Sequence, residues 1–475
     1  MTTLYNQSEN IVSNKVFIVQ RSEIGERWDP MYYRPEIANL EKKVRAIAAK
    51  KLRDYIIRIS SGATPSVKEE EKFYSDKENG IPFLRVQNLQ TNGKLSLDDV
   101  KYINKRTHDD YLRRSQVSEG DLLVKITGVG RMAIASVAPD DFVGNTNQHM
   151  VIIKTKNKET SEYLANYLNL DIVEKLASRR ATGGTRPALD YPALKSIPIV
   201  EGIDFTLIRE AERLKQQKEN EAKALLATID DYLLDELGII IPITHDNLKN
   251  RIFISSFNNI SGIRFDPNFH LKMQYLLNQK CKYEFSSLKE FILGVPQYGA
   301  NEEAINGNQD KDIRYIRITD IDDLGNLKND SWKTTINVDE KYLLNKDDIL
   351  FARSGSVGRC YIHKDITHRS IFAGYLIRFV LNAEIINPNF LFFYCHSSIY
   401  KYWVDAISRP AVQSNINSEE YKSLPIPLLP MEKQNEIAEK ISKIRLQVKA
   451  LQQEANDILE QAKKQVEEKI LRETI

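Results

Sequence analysis

With 475 residues, 42% hydrophobic and 9% aromatic, the chain has the material for two packed domains and connecting elements. Its 67 Lys and Arg against 65 Asp and Glu give a net charge of +2, which excludes a uniformly basic, histone-like surface but allows local basic clusters. Cys281, Cys360 and Cys395 stand far apart in no Cys-x-x-Cys or Cys/His spacing, which excludes a disulfide framework and a structural zinc site.

The chain opens without a basic segment followed by an apolar core, and no apolar stretch is long enough to span a bilayer, so a cytoplasmic protein with no membrane partner is expected. Residues 1–200 read as a first α+β domain. It carries Arg27-Trp28-Asp29-Pro30-Met31-Tyr32-Tyr33, then β-branched runs at 81–86, 122–127 and 150–154 separated by Asn, Gly, Asp and Pro. A helix is expected over 161–178, where Tyr163, Leu164, Tyr167, Leu168, Ile172 and Leu176 form one stripe, and the domain closes on the strand Ile197-Pro198-Ile199.

Residues 201–243 read as a long helix, free of Gly and Pro from Asp204 to Leu237 and ended by Gly238 and Pro242. Its apolar seam is Leu207, Ala211, Leu214, Leu225, Ile229 and Tyr232, interrupted by Lys218. Residues 244–428 read as a second α+β domain, and 429–475 as a second long helix. Ile437, Ile441, Ile444, Val448, Leu451, Ala455, Ile458 and Ala462 there alternate in steps of four and three, the spacing of a coiled-coil seam.

The two domains are an internal repeat. Arg27-Trp28-Asp29-Pro30 returns as Arg264-Phe265-Asp266-Pro267, and Ile81-Pro82-Phe83-Leu84-Arg85-Val86 as Ile313-Arg314-Tyr315-Ile316-Arg317-Ile318. Gly120-Asp121-Leu122-Leu123-Val124 returns as Asp347-Asp348-Ile349-Leu350-Phe351, and Thr127-Gly128-Val129-Gly130-Arg131 as Ser354-Gly355-Ser356-Val357-Gly358-Arg359. Leu194-Lys195-Ser196-Ile197-Pro198-Ile199 returns as Tyr421-Lys422-Ser423-Leu424-Pro425-Ile426. The order is preserved at a nearly constant spacing, as duplication requires. Two helices with one apolar edge each can hide those edges against each other, giving a coiled coil with pseudo-two-fold symmetry and a domain near each end. At about 1.5 Å per residue such a helix reaches roughly 50 Å. That is on the order of 15 base pairs at about 3.4 Å each, a separation suited to a bipartite DNA site.

These residues carry a resemblance. The chain resembles the specificity subunits of type I restriction-modification systems over essentially its whole length. The resemblance rests on Ser61-Gly62-Ala63-Thr64-Pro65-Ser66, Ile81 to Val86, Gly120 to Leu123 and Gly183-Gly184-Thr185-Arg186-Pro187-Ala188-Leu189. The most specific part is Pro425-Ile426-Pro427-Leu428-Leu429-Pro430, followed by Gln434-Asn435-Glu436-Ile437-Ala438 at a helix start. It implies two target-recognition domains for a split site in double-stranded DNA, and helical spacers that hold DNA adenine methyltransferase (modification) subunits, with restriction subunits as further partners. It implies no catalytic site and no cofactor in this chain, S-adenosylmethionine and ATP belonging to the partner subunits. Two segments depart from the family pattern: the first spacer lacks Gln-x-x-Ile-Ala, and the second domain has Gln297-Tyr298-Gly299 where the first has Gly-x-Thr-Pro. A coiled-coil DNA-binding scaffold or regulator without a methylase partner is the alternative.

Gly128-Val129-Gly130-Arg131-Met132-Ala133 fits a dinucleotide fingerprint in spelling only, since Pro139 follows too soon for the helix such a site needs. A tight turn bringing backbone to DNA fits better, with Arg131 and Arg359 aimed at phosphate or guanine. Asn387-Pro388-Asn389-Phe390 reads as a helix cap, and Asp98-Asp99-Val100-Lys101 lacks the further acid of a nuclease site. The DNA-reading candidates are Arg131, Asn145, Asn147, Gln148, Arg179, Arg180, Thr182, Gly183, Gly184, Thr185 and Arg186. Their counterparts in the second domain are Arg353, Ser354, Arg359, Arg409, Gln413, Ser414 and Asn415. Lys105, Arg106, Arg113 and Arg114 are candidate phosphate clamps. Helix pairing is assigned to Leu207, Leu214, Leu225, Ile229, Ile437, Ile441, Ile444, Val448, Leu451 and Ile458.

Overall fold

The computed structural model describes residues 17–25, 27–241, 252, 254, 256–257, 266–277, 280–328, 331–408 and 414–472. The chain forms two compact units, Met1–Gln217 with Glu454–Ile475, and Lys218–Gln453. Each is α+β, and the same plan recurs within each.

In the first unit the strand Leu122–Lys125 lies between the antiparallel strands Met150–Lys154 and Ala135–Val137, with Arg58–Ser61 on the outer side of Met150–Lys154. Strand side chains alternate between faces, and both faces here are covered. Leu122, Val124, Val151 and Ile153 pack against the helices Lys158–Leu168 and Asp171–Arg180, whereas Leu123, Met150 and Ile152 pack against Leu84, Val117 and Phe142. Leu84 belongs to a second, five-stranded sheet in which Ile81–Leu84 runs parallel to Val143–Thr146.

The second unit repeats this. Ile349–Ala352 lies between Leu376–Phe379 and Cys360–Ile362, and Arg314–Ile316 runs parallel to Ser370–Phe372. Ile349, Phe351, Ile377 and Phe379 face the helices Pro388–Tyr394 and Ser398–Ile407, while Leu350 and Leu376 face Ile316 and Phe372.

The single helix expected over 161–178 is two helices. Between them Leu170 is extended, and beside it the Asn169 side chain serves the strand edge, its Oδ1 accepting from Ala135 N at 3.1 Å and its Nδ2 donating to Ala135 O at 2.8 Å. The Arg27-Trp28-Asp29-Pro30 motif has a local reason as well. The Arg27 guanidinium donates to the carbonyls of Arg179 (3.3 Å), Arg180 (3.0 Å) and Ala181 (3.0 Å), acceptors that a helix end leaves without intrahelical partners. Of its counterpart, Arg264 and Phe265 lie outside the described residues; Asp266 Oδ1 accepts from Phe269 N at 2.9 Å at the start of the helix Pro267–Leu277.

The long helices are Thr206–Leu237 and Met431–Arg472. Gly238 (φ +67°) ends the first, while Pro242 lies outside the described residues. In the first unit Ile208 and Ala211 are buried with Leu459, Ala462, Val466 and Ile470, and Lys215 Nζ donates to Asn456 Oδ1 at 3.0 Å. In the second unit Leu233 and Leu237 are buried with Ile437 and Ile441, Lys433 pairs with Glu236 at 2.9 Å, and the Lys440 ammonium lies 3.8 Å from the Tyr232 ring centroid.

The residues of the expected seam are buried to different degrees. Ile437, Ile441 and Val448 are buried; Leu207, Leu225, Ile229, Ile444, Leu451 and Ile458 are only half-buried. Leu214 is 40% exposed, because Ile208 and Ala211 already fill the inward side of that stretch. The Gln434-to-Ala438 motif is explained by burial. Gln434 Nε2 donates to Leu429 O (2.9 Å) and Ile385 O (3.2 Å), and its Oε1 accepts from Asn387 N (2.8 Å). Asn387 in turn caps the helix Pro388–Tyr394 through Asn389 N at 2.8 Å.

Candidate nucleic-acid interface

In the first unit three loops meet at one end of the four-stranded sheet, because Ser61 pairs with Val151 and Lys125 with Met150. They are the segments after Ser61, after Lys125 and before Met150. A fourth, Thr182–Arg186, is stitched to the second of these: Gly128 N donates to Pro187 O at 3.0 Å and Leu189 N to Ile126 O at 2.8 Å. Gly183 holds φ +98° and Gly130 φ +81°, left-handed conformations that glycine adopts without strain. Thr182, Gly183, Gly184, Thr185 and Arg186 are all exposed. Lys125 is buried at the root of this surface, with Nζ donating to Val129 O at 2.8 Å, and burial holds its pKa below the usual lysine value. Burial, with the nearby charge of Arg186, lowers His149, which presents a neutral imidazole. Thr64 Oγ1 donates to Gln148 Oε1 at 2.5 Å, both exposed. The surface offers backbone amides, hydroxyls, a carboxamide and one guanidinium, the groups that contact phosphates and base edges.

The second unit builds the corresponding corner from Tyr298 to Asn301, Arg353 to Ser356, and Ala373 to Tyr375. A cleft of about 720 Å³ opens there. The Arg353 guanidinium lies 5.0 Å from the Tyr298 ring centroid, Arg353 N donates to Tyr375 O at 2.9 Å, and Ile416 N donates to Arg353 O at 2.9 Å. Tyr375 is 63% exposed. The loop of Ser414 and Asn415 is tied to the turn by a bridge between Ser354 and Asn415.

Both of these corners lie in stretches that match one family model, described as the type I restriction modification DNA specificity domain, at residues 48–200 and 282–461. The chain belongs to that specificity family. Among curated proteins it is similar to the EcoBI type I restriction enzyme specificity subunit of Escherichia coli, 27% identical over 157 residues, 32% of this chain and 33% of that one. The matched stretch thus spans about a third of that relative's length. Among solved structures, a chain from work on complex assembly and conformational transition of the type I R-M system is 13% identical, with coverage of 89% here and 96% there and a TM-score of 0.45. The S subunit of a type I system from M. genitalium is 11% identical, with coverage of 90% and 95% and a TM-score of 0.37.

Several candidates drawn from the sequence are buried or engaged within their own unit. Asn145 is fully buried, with Nδ2 donating to Leu112 O (2.9 Å) and Ser115 Oγ (3.3 Å). Asn147 is buried too and accepts from His149 N at 3.1 Å, shaping the turn that exposes Gln148. Arg180 is buried in an ion pair with Glu41, and Arg179 is held by Glu41 and by Tyr32 O (2.6 Å). Arg131 is engaged by Asp171 and the Asn169 carbonyl, and Arg359 by Asp323 and the carbonyls of Ile318 (3.3 Å) and Ile321 (2.8 Å). These arginines fasten loops to the body of each unit. Ser354 is buried, and Arg409 and Gln413 lie outside the described residues. Lys105, Arg106, Arg113 and Arg114 are exposed, flanking the Thr107–Tyr111 turn. Asp99 pairs with Arg85 at 3.2 Å instead of joining an acid cluster. The corners also contain Thr64, His149, Tyr298, Asn301 and Tyr375, which the sequence did not single out as DNA-reading candidates. The recurrence of Gly62-Ala63-Thr64 as Gly299-Ala300-Asn301 was the available signal.

Among the described residues, no helix is long and apolar enough to cross a membrane.

Proposed function

We propose that this chain is the sequence-reading subunit of a type I restriction-modification complex, with one half of a bipartite duplex DNA site read by each unit. The observation that carries this reading is the twofold occurrence of the specificity-domain match, at 48–200 and 282–461. Residues 1–200 and 244–428 act as the readers, and 201–243 and 429–475 as spacers that receive DNA adenine methyltransferase (modification) subunits and, through the same complex, restriction subunits. The chain acts by binding and not by catalysis in the cytoplasm: S-adenosylmethionine is used by the modification subunits and ATP by the restriction subunits. Phosphate contacts from Arg186 and the glycine-rich turns would set the register on DNA, and side chains at the sheet ends would discriminate bases.

Long-read sequencing that detects methylated adenine tests this in cells carrying the chain and the modification subunit encoded beside it. The expected result is a methylated split motif that disappears when this chain alone is deleted. An active, bound modification subunit that methylates no such motif overturns the reading.

A further inference from the structure

Strand pairing fixes which residues of the two units correspond. Ser61 faces Val151 as Tyr298 faces Ile377, and Lys125 faces Met150 as Ala352 faces Leu376. Thr64 therefore corresponds to Asn301, Gln148 to Gly374 and His149 to Tyr375. The close approach of the two loops is also shared. A Cβ on Gly62 would overlap the Thr146 carbonyl, and one on Gly299 would overlap the carbonyls of Phe372 and Ala373.

At this common corner each unit displays a carboxamide, supplied from opposite sides. In the first unit Gln148 supplies it, steadied by the Thr64 hydroxyl at 2.5 Å. In the second unit the position of Gln148 is Gly374. A Cβ there would overlap Asn301 Oδ1, so the Asn301 amide occupies the space that the missing side chain leaves. Gly374 N donates to Ala300 O at 2.7 Å, which holds the two loops together beneath it. Asn301 lines the cleft of about 720 Å³ with Thr319, Ser356 and Tyr375. The guanidinium in that lining, Arg317, is paired with Asp320 at 2.6 Å. A cleft whose cation is already paired suits a base edge better than a phosphate. A carboxamide presents an acceptor and a donor side by side, the pattern that matches N6 and N7 of adenine.

We infer that Gln148 and Asn301 are equivalent specificity-determining residues, each reading an adenine in its own half-site. This rests on the bipartite-reader function proposed above. The test is the same methylation map, taken with Gln148→Ala and Asn301→Ala in the complete complex. Each variant is expected to relax a single adenine position, the two falling in different half-sites, with discrimination reduced by roughly ten- to a hundredfold. Gly374→Ala is expected to relax the same position as Asn301→Ala by displacing the amide, and Thr64→Val to weaken the position read by Gln148. Should an alanine variant abolish methylation altogether, these two milder substitutions decide in its place. Unchanged motifs, or relaxation at a position that is not adenine, overturn the inference while leaving the proposed function intact. A wild-type complex with no split motif overturns both.

Discussion

Arg180 Nη2 meets Glu41 Oε1 at 2.5 Å, joining the last turn of the helix Asp171–Arg180 to the helix Pro35–Ile47. Arg179 and Arg45 (2.6 Å) reach the same carboxylate. Burial raises the Glu41 pKa, but the three guanidiniums together outweigh it and hold the group below its ordinary 4.5. A depressed carboxylate contributes stability above its unfolded pKa and loses it as pH falls through the folded one. Glu41→Gln should therefore cost about 3–5 kcal/mol at pH 7, by stranding buried guanidiniums. It should also flatten the loss of stability below about pH 4.5. Urea unfolding at pH 7 and at pH 4 measures both.

His396 tests the second unit in a different pH window. Burial lowers its pKa from 6.5 to about 4, aided by Arg445 and Lys401 and opposed by the Phe392 carbonyl, which accepts from Nδ1 at 2.7 Å, and by Asp322. The unfolded chain takes up this proton first as pH falls. The contribution is therefore complete above about pH 6.5 and is lost between there and about pH 4. His396→Gln should make the thermal midpoint less sensitive to acidification from pH 7 to pH 5. An unchanged slope would show that the imidazole is not the group responsible.

Glu212 carries the opposite sign. Burial raises its carboxyl to about 7, against the pull of Lys94, Lys463 and Lys215. The folded chain then binds the extra proton between pH 4.5 and about 7, so stability falls as pH rises through that range. Glu212→Gln should stabilise the chain at pH 8 and make little difference near pH 4. Equal effects at the two pH values in denaturant titrations would refute this.

The helix seam is graded by burial. Ile437→Ala or Ile441→Ala, at fully buried positions, should cost about 2–5 kcal/mol in chemical denaturation. Leu214→Ala, at a 40% exposed position, should stay within about 1 kcal/mol of wild type. A large loss at Leu214 would mean that a partner covers it.

Exposed Arg186 should behave as a phosphate contact. Arg186→Ala in the complete complex should weaken binding to all duplexes alike and lower the slope of log affinity against log salt by about one. Loss confined to one DNA sequence, in fluorescence-anisotropy titrations, would mark it as a base reader instead.

The repeat, the strands and the long helices could be read in the sequence because apolar periodicity and turn residues are local signals. Even the burial of Leu122, Leu123 and Val124 on both faces follows from their unbroken apolar run. The site was less legible. Arg131 and Arg359 follow exposed-looking turns, yet their partners lie about 40 residues away along the chain, where no local pattern reveals them. Asn145 and Gln148 belong to one amide-rich run, but the first is inside a strand and the second beyond its end, so they have opposite exposures. The carboxamide corner needed the register of four strands before Asn301 and Gly374 could be matched with Thr64 and Gln148.

The first unit is not contiguous in the chain: Phe205, Ile208 and Ala211 share its core with Leu459, Ala462, Val466 and Ile470. Translation delivers these two groups far apart in time. At on the order of 5–20 residues per second, the apolar side of the nascent first unit waits for its covering segment on the order of tens of seconds. The second unit, Lys218–Gln453, emerges in one piece. The half that begins synthesis first is thus the half completed last, and during that interval its apolar face lacks the segment that covers it.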